Sequence, residues 1–165
     1  MEHPIWNGMD GEVDWRPVDP RLVWVRLINL ALGAIPATAL AVVLSAWWWG
    51  ARFALLAGVL AAVLIVSRVI AIVRAVRVWA YAEADEHLLI RHGIWTRRLS
   101  IVPYGRLQYL DLTADPASRV FGLTTVKLHT AAATTDATVP GLAPDEATAL
   151  RDRLADVSGA RTEGL

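Results

Sequence analysis

The sequence predicts a membrane α-helical hairpin of two transmembrane helices, followed by a small β-rich domain that ends in a helix. Three observations lead to this fold class. Two long apolar stretches lie in the first half of the chain. Residues 21–77 contain six arginines and no acid, whereas residues 1–20 contain five acids and one arginine. After that, apolar residues occur in short runs separated by turn residues, which is typical of strands. We therefore place the domain at residues 78–157 and a disordered tail at residues 158–165.

The first predicted span covers about residues 27–49 and contains no charged side chain. A helix of this length measures about 34 Å, which is enough to cross a hydrocarbon core of about 30 Å. The second span covers about residues 53–73 and is interrupted only by Arg68. Helices buried in a soluble bundle are the alternative, but these keep a polar face that both stretches lack. Residues 50–52 are left as a tight turn between the two helices.

The distribution of arginines predicts the direction of the hairpin. Two arginines precede the first span and three lie at the end of the second, whereas the turn contains only one. This bias predicts that both termini are cytoplasmic and that residues 1–20 form an acidic cytoplasmic segment. Side chains suited to the membrane interfaces are Trp47, Trp48, Trp49, Arg74 and Arg77.

Two features inside the spans have alternative interpretations. Arg68 is predicted near the inner boundary, where its side chain reaches the headgroups; a functional charge within the membrane is the alternative. Small residues at four-residue spacing allow helices to approach closely, which we interpret as packing within the hairpin, with self-association as the alternative. These residues are Gly33, Ala37, Ala41 and Ser45 in the first span and Ala54, Gly58 and Ala62 in the second.

Turn residues and alternation predict the elements of the domain. Strands are expected at residues 78–83, 87–92, 94–102, 107–113, 124–130 and 137–140. A short helical turn is expected at residues 115–122, because Pro116 suits a first turn and Gly122 suits an ending. An amphipathic helix of about 12 residues is expected from Pro144.

Composition argues against several classes of site. The chain has no cysteine, four histidines and a formal net charge of zero, so thiolate chemistry is excluded and a nucleic-acid partner is not expected. His87 and His92 are five residues apart on one strand and face opposite sides, which disfavours a joint metal site. The sequence thus predicts no catalytic residue, no cofactor and no metal ligand.

A longer pattern of residues resembles the bacterial pleckstrin-homology (PH) domain of membrane-flanked, YdbS-like proteins. The matching positions are Asp85-Glu86, Leu89-Ile90-Arg91, Gly93, Trp95-Thr96-Arg97-Arg98, Ile101-Val102-Pro103, Arg106-Leu107-Gln108 and Phe121-Gly122-Leu123-Thr124-Thr125-Val126. The resemblance covers roughly residues 21–156 and implies two antiparallel sheets capped by the C-terminal helix. It also implies a multi-pass protein of the bacterial inner membrane that is not an enzyme.

The candidate binding residues lie in a stretch without acids between Glu86 and Asp111. They are Arg91, Arg97, Arg98 and Arg106. Basic residues near an anionic membrane surface each contribute about 1 kcal/mol of attraction. A solvated sheet face is the alternative, since neighbouring strand residues such as Arg97 and Arg98 point to opposite sides. For Arg106 we favour an ion pair with Asp111 or Asp115.

These observations lead to one functional hypothesis and two alternatives. We expect a membrane-anchored scaffold that recruits or senses a protein or an anionic lipid at the cytoplasmic face. The partners expected besides the bilayer are another membrane protein with PH-like domains or a second copy of this chain. The first alternative is an accessory subunit of a membrane transporter or membrane enzyme complex. The second is an enzyme acting on lipid, with His87, His92 or His129 as its base.

Overall fold

The structure is a computed structural model that describes residues 13–94, 96, 98–130 and 137–162, with side chains described as far as Val157. The chain divides into two compact units. One is Val23–Arg74, and the other joins the residues up to Leu22 to those from Ala75 onward. The second unit is therefore formed from both sides of the first.

The first unit consists of two helices of 28 residues each, α1 (Leu22–Trp49) and α2 (Ala51–Val78). In the described part of the chain, these two are long and apolar enough to cross a membrane. The connection is shorter than predicted, because Gly50 alone separates them. Its φ of 88° lies in the left-handed region that glycine adopts without strain. The amides of Phe53 and Ala54 both donate to the Gly50 carbonyl, so helix geometry already begins at Ala51.

The face of α1 that is buried differs from the predicted one. Ala34, Thr38 and Val42 are half-buried and Ser45 is buried, at the spacing of one helix face. Gly33, Ala37 and Ala41 are exposed, so the prediction for α1 is wrong except at Ser45.

The α2 face is closer to the prediction. Ala54 and Gly58 are half-buried, whereas Ala62 is exposed. A Cβ atom built on Gly58 would lie 4.0 Å from Cγ2 of Val42, which places Gly58 in the contact between the helices.

The second unit contains two antiparallel sheets, as predicted. The four-stranded sheet has the order β1 (Arg16–Pro17), β2 (Ala80–Glu83), β3 (His87–His92) and β4 (Arg98–Pro103). A 3-10 turn, Tyr104–Arg106, leads into the three-stranded sheet. Its order is β5 (Leu107–Thr113), β6 (Thr124–Thr130) and β7 (Ala137–Leu142).

Three strands, β3, β5 and β6, have the predicted bounds. β2 begins later than predicted because α2 continues as far as Val78. β4 also begins later, at Arg98, because Gly93 with φ 104° turns the chain into the connection that precedes it. β7 ends two residues later than predicted, at Leu142.

Two helices complete this unit. The short helix α3 (Pro116–Val120) confirms the predicted helical turn. The C-terminal helix α4 (Pro144–Thr162) has 19 residues and is longer than predicted. The prediction of a disordered tail is thus wrong for residues 158–162, while residues 163–165 lie outside the described residues.

One hydrophobic core lies between the sheets and α4. It includes Tyr81, Leu88 and Ile90 from the first sheet and Val126, Leu128 and Val139 from the second. Ala147, Leu150 and Leu154 of α4 close it, which confirms the predicted apolar stripe.

The N-terminal segment is part of this domain from residue 13 onward, which corrects the predicted boundary at residue 20. Pro17 pairs with Ala80, and the Asp19 amide donates to the Gly141 carbonyl at 3.0 Å. Val18 and Leu22 are buried. Residues 1–12 of the predicted acidic segment lie outside the described residues.

Candidate functional site

The connection between β3 and β4 lies at the end of the sheet where β2 begins. β2 starts at Ala80, two residues after the last residue of α2, and Ala80 pairs with Arg91 near the end of β3. Arg98 opens β4 opposite His92. The register therefore brings Arg91 and Arg98, two of the predicted binding residues, to the end of the sheet next to α2 in the chain.

The same register places these two arginines on opposite faces of the sheet. Arg91 pairs with Leu99, whereas Arg98 pairs with His92, the next residue along β3. Arg91 is half-buried, and its guanidinium lies 4.8 Å from the centroid of the Trp15 ring. This is a cation–π contact, so Arg91 helps to hold the N-terminal segment on the sheet. Arg98 is exposed.

His92 stacks on Trp79 beside Arg98. The two rings are 5.3 Å apart at an interplanar angle of 26°. Burial lowers the pKa of His92 below its ordinary value of 6.5, and the charge of Arg98 lowers it further. The ring is thus neutral at neutral pH, and the positive charge on this face comes from Arg98.

Arg106 lies at the other end of the four-stranded sheet, in the turn that follows β4. It is exposed, and within the described residues it forms no ion pair with Asp111 or Asp115, contrary to our expectation. Asp115 instead accepts a hydrogen bond from the Ser118 amide at 2.6 Å and caps α3. Arg97 lies outside the described residues. The described arginines therefore do not form a single patch.

Comparisons with known proteins agree with this architecture. A family model described as Bacterial PH domain matches residues 20–158. The chain belongs to the bacterial PH domain family. It is 35% identical over 103 residues to the UPF0699 transmembrane protein YdbS of Bacillus subtilis (strain 168), in a match that covers 60% of this chain. This YdbS-like relative confirms the predicted family.

The chain spans just under two thirds of that relative, 64% of its length. No solved structure matches the chain. The PH domain, the two apolar helices and the relative together make this a transmembrane PH-domain protein.

A groove of about 500 Å³ lies between the β2–β3 turn of the PH domain and α4. Three acids, Glu83, Asp85 and Asp156, and a single arginine, Arg153, contribute to its lining. Glu83 is bound by Arg153 at 2.8 Å and contacts Arg16 at 3.6 Å. This groove is unsuited to an anionic ligand, because its acids outnumber its arginine.

A buried tyrosine of the PH domain was also missed from the sequence. The Tyr81 hydroxyl donates to Oε1 of Glu146 at 2.6 Å, and burial together with this carboxylate raises the pKa of Tyr81. Tyr81 lies in the strand predicted at residues 78–83, but its partner is 65 residues away and no local pattern points to it.

The three histidines discussed as possible bases lie in different places. His92 is stacked on Trp79, His129 is stacked on Tyr109 with ring centroids 4.3 Å apart, and His87 begins β3. Among the described residues, no group of three or more His, Asp or Glu side chains could hold a metal ion.

Proposed function

We propose that this PH-domain protein is a non-enzymatic, membrane-anchored binding module that recruits or senses a partner at the cytoplasmic face of the bacterial inner membrane. The observation that carries the proposal is the register of β2, β3 and β4, which brings Arg98 to the end of the sheet where β2 follows α2 in the chain. Arg98 is exposed there, beside a neutral His92. This end of the sheet follows α2 directly in the chain.

The pairing of β1 with β2 supports the topology in this proposal. Pro17 precedes α1, Ala80 follows α2, and the two are paired in one sheet. Both ends of the hairpin therefore lie on one side of the bilayer. Five arginines flank that side and one lies in the turn, which favours the cytoplasm.

Lipid binding under this proposal depends on Arg98, because the guanidinium of Arg91 already contacts the Trp15 ring. We expect the full-length chain in mild detergent to retain anionic phosphatidylglycerol, measured by native mass spectrometry, and Arg98→Gln to retain less. Arg106→Gln is the matched control, since Arg106 is also exposed but lies at the other end of the sheet. Equal retention by both variants contradicts lipid binding at Arg98.

Binding of a protein partner is tested by purifying the full-length chain from its own membranes in mild detergent and identifying the proteins that are recovered with it. A membrane protein recovered in fixed proportion, and lost from Arg98→Gln but not from Arg106→Gln, supports recruitment at this end of the domain. Recovery of the chain with lipid alone contradicts a protein partner. A fragment starting at residue 78 is unsuitable here, because it lacks β1, Val18 and Leu22.

A second candidate function is that of an accessory subunit of a membrane transporter or enzyme complex. It is favoured by the exposed row Gly33, Ala37 and Ala41, which the hairpin does not use. Small residues in such a row let a further transmembrane helix approach closely. Under this proposal Ala37→Leu loses the accompanying subunit while Arg98→Gln keeps it, and retention of the subunit by Ala37→Leu contradicts the proposal.

A further inference from the structure

Arg68 is a charged side chain in the apolar part of α2, and the hairpin provides no partner for it. It is exposed, and among the described residues it forms no hydrogen bond or ion pair. About 20 helical residues cross a hydrocarbon core of about 30 Å, so a core that begins at Phe53 ends about four residues beyond Arg68. The side chain is thus attached about 6 Å inside the core. At that depth its guanidinium must either extend to the headgroups or bind a polar group.

The contact between Gly58 and Val42 sets the level of Arg68 relative to the neighbouring helix. Arg68 is ten residues after Gly58 on α2, and Leu32 is ten residues before Val42 on α1. Both separations correspond to about 15 Å of helix, and the two helices run in opposite directions. Arg68 therefore lies level with Leu32, and within one residue of the level of Gly33.

Arg68 and Gly33 also lie on the same side of the hairpin. Gly33 immediately precedes Ala34 on α1, and Arg68 immediately precedes Val69 on α2. Ala34 and Val69 are half-buried members of the two faces that pack together. Gly33 and Arg68 are thus each rotated by about 100° from the packed face, in the same sense along their own helices. Two antiparallel helices are related by an approximate two-fold axis perpendicular to both, and this axis keeps equal rotations on one side of the pair.

The surface around Gly33 offers space and acceptors for a guanidinium. A Cβ atom built on Gly33 would have no neighbour within 4 Å. Asn29 lies one turn earlier on α1 and is exposed. Its amide oxygen and its backbone carbonyl each have two lone pairs, so each can accept a further hydrogen bond. Asn29 is closer to the headgroups than Gly33, and a long arginine side chain inside the core extends in that direction.

We propose that this side of the hairpin is the interface of a symmetric dimer, in which Arg68 of each copy donates to Asn29 of the other. Copies inserted in the same direction are related by a two-fold axis parallel to the bilayer normal, which keeps every residue at its own level. α2 of one copy then lies against α1 of the other, with Arg68 over Gly33. Donor and acceptor are on one chain but do not bind each other there, so a second copy is the partner that satisfies both. This inference does not depend on what the domain binds at Arg98.

The test uses the absence of cysteine from the chain. Two full-length chains with different tags, one with Ala37→Cys and one with Leu64→Cys, are purified and reconstituted together into vesicles of phosphatidylethanolamine and phosphatidylglycerol. Purified protein contains no accessory subunit, so association in these vesicles is between copies. Leu64 lies one turn before Arg68 and, by the same register, within one residue of the level of Ala37. We expect oxidation with copper phenanthroline to link the two tagged chains by a disulfide bond.

Ala62→Cys in place of Leu64→Cys is the matched control. Ala62 is exposed and follows the half-buried Ala61, so it lies on the other side of the hairpin. We expect little linkage between Ala62→Cys and Ala37→Cys. The proposal is overturned if Leu64→Cys is not linked to Ala37→Cys, or if Ala62→Cys is linked to it equally well.

The contribution of Arg68 is measured on the same linked pair. Arg68→Leu in both tagged chains is expected to lower the linked fraction by about threefold to tenfold, and Asn29→Leu by a similar factor. Arg74→Leu is the control, since Arg74 is also exposed on α2 but lies six residues further along. A linked fraction unchanged by Arg68→Leu shows that Arg68 only extends to the headgroups, and a loss equal to that of Arg74→Leu shows a general effect of charge. Either result overturns the proposal. Far-ultraviolet circular dichroism checks that each variant keeps its helices.

Discussion

Gly141 shows how one residue joins the N-terminal segment to the domain. Its φ is 71°, and a Cβ atom built there would lie 3.1 Å from both Cβ and Cδ2 of Leu22. Its carbonyl also accepts the Asp19 amide. Glycine is therefore required twice at this position, once for the left-handed backbone and once for the close approach of Leu22.

Gly141→Ala is expected to destabilise the domain by about 2–3 kcal/mol, the sum of backbone strain and overpacking against Leu22. Gly122→Ala has the same backbone strain but no neighbour within 4 Å, so we expect a loss of about 1 kcal/mol. Urea denaturation of the full-length chain in detergent, followed by near-ultraviolet circular dichroism, measures both. Gly105→Ala, with neither feature, is the control. Equal losses at residues 141 and 122 would show that the Leu22 contact contributes nothing.

The stability of the domain is expected to depend on pH through His92. Its pKa is lowered in the folded state, so below the ordinary pKa of 6.5 the unfolded chain binds the proton more readily than the folded chain does. Stability should therefore fall as the pH decreases through 6.5 towards the lower folded-state value. We expect the melting temperature of the wild type to drop between about pH 7.5 and pH 5.5. The drop should be smaller in His92→Gln, and an equal drop in this variant and the wild type contradicts the prediction.

Secondary-structure elements differ in how well the sequence predicts them. β3 and β6 have the predicted bounds because turn residues, the Asp85-Glu86 pair and Gly122, precede them. β4 was predicted too long because Gly93 is the last turn residue in the sequence before the run IWTRRLSIV, whereas pairing with β3 begins only at Arg98. A turn residue alone does not show where pairing begins.

The face of a helix is harder to predict when most of its residues are small and apolar. The predicted row in α1 differs by one position from the face that is buried, which includes Ala34, Thr38 and Val42. One position corresponds to a rotation of about 100° around the helix axis. Alanine is frequent in α1, and so the four-residue spacing of small side chains fits more than one face.

This difference leads to a prediction for the hairpin. Gly58→Leu should force α1 and α2 apart, because the added side chain points at Val42. Gly33→Leu, which has no neighbour within 4 Å, should be tolerated. The fraction of each variant that remains monodisperse after heating in detergent compares the two. The contact between Gly58 and Val42 is contradicted if Gly33→Leu loses as much folded protein as Gly58→Leu.

At the scale of the whole molecule, the domain includes residues from before and after the hairpin. The sequence did not predict this, because β1 has only two residues and pairs with a strand more than 60 residues later. Two residues are too few to show alternation. The family and the order of the strands after the hairpin were predictable because their motifs are local, whereas the binding residues depend on which face and which end of the sheet they occupy.

The topology of the hairpin leads to a prediction for intact cells. Arg52→Cys, in the first turn of α2 next to Gly50, should react with a maleimide that does not cross membranes. Asp85→Cys should react only after the cells are opened, because the proposed orientation places the domain, and Asp85 with it, in the cytoplasm. The reverse pattern would invert the orientation, and labelling of both residues in intact cells would contradict the pairing of Pro17 with Ala80 across one hairpin.

The hairpin separates β1 from β2 in the chain. The four-stranded sheet can therefore form completely only after both helices of the hairpin have been synthesised. Arg16 and Pro17 leave the ribosome before either membrane helix, but their partners Tyr81 and Ala80 are synthesised only after both. A nascent chain whose second helix fails to return across the bilayer leaves these residues on opposite sides of the membrane. Such a chain keeps the β2 edge and the hydrophobic side chains of Val18 and Leu22 unprotected. We expect the unpaired edge of β2 to make such a chain more susceptible to proteolysis than the correctly inserted protein.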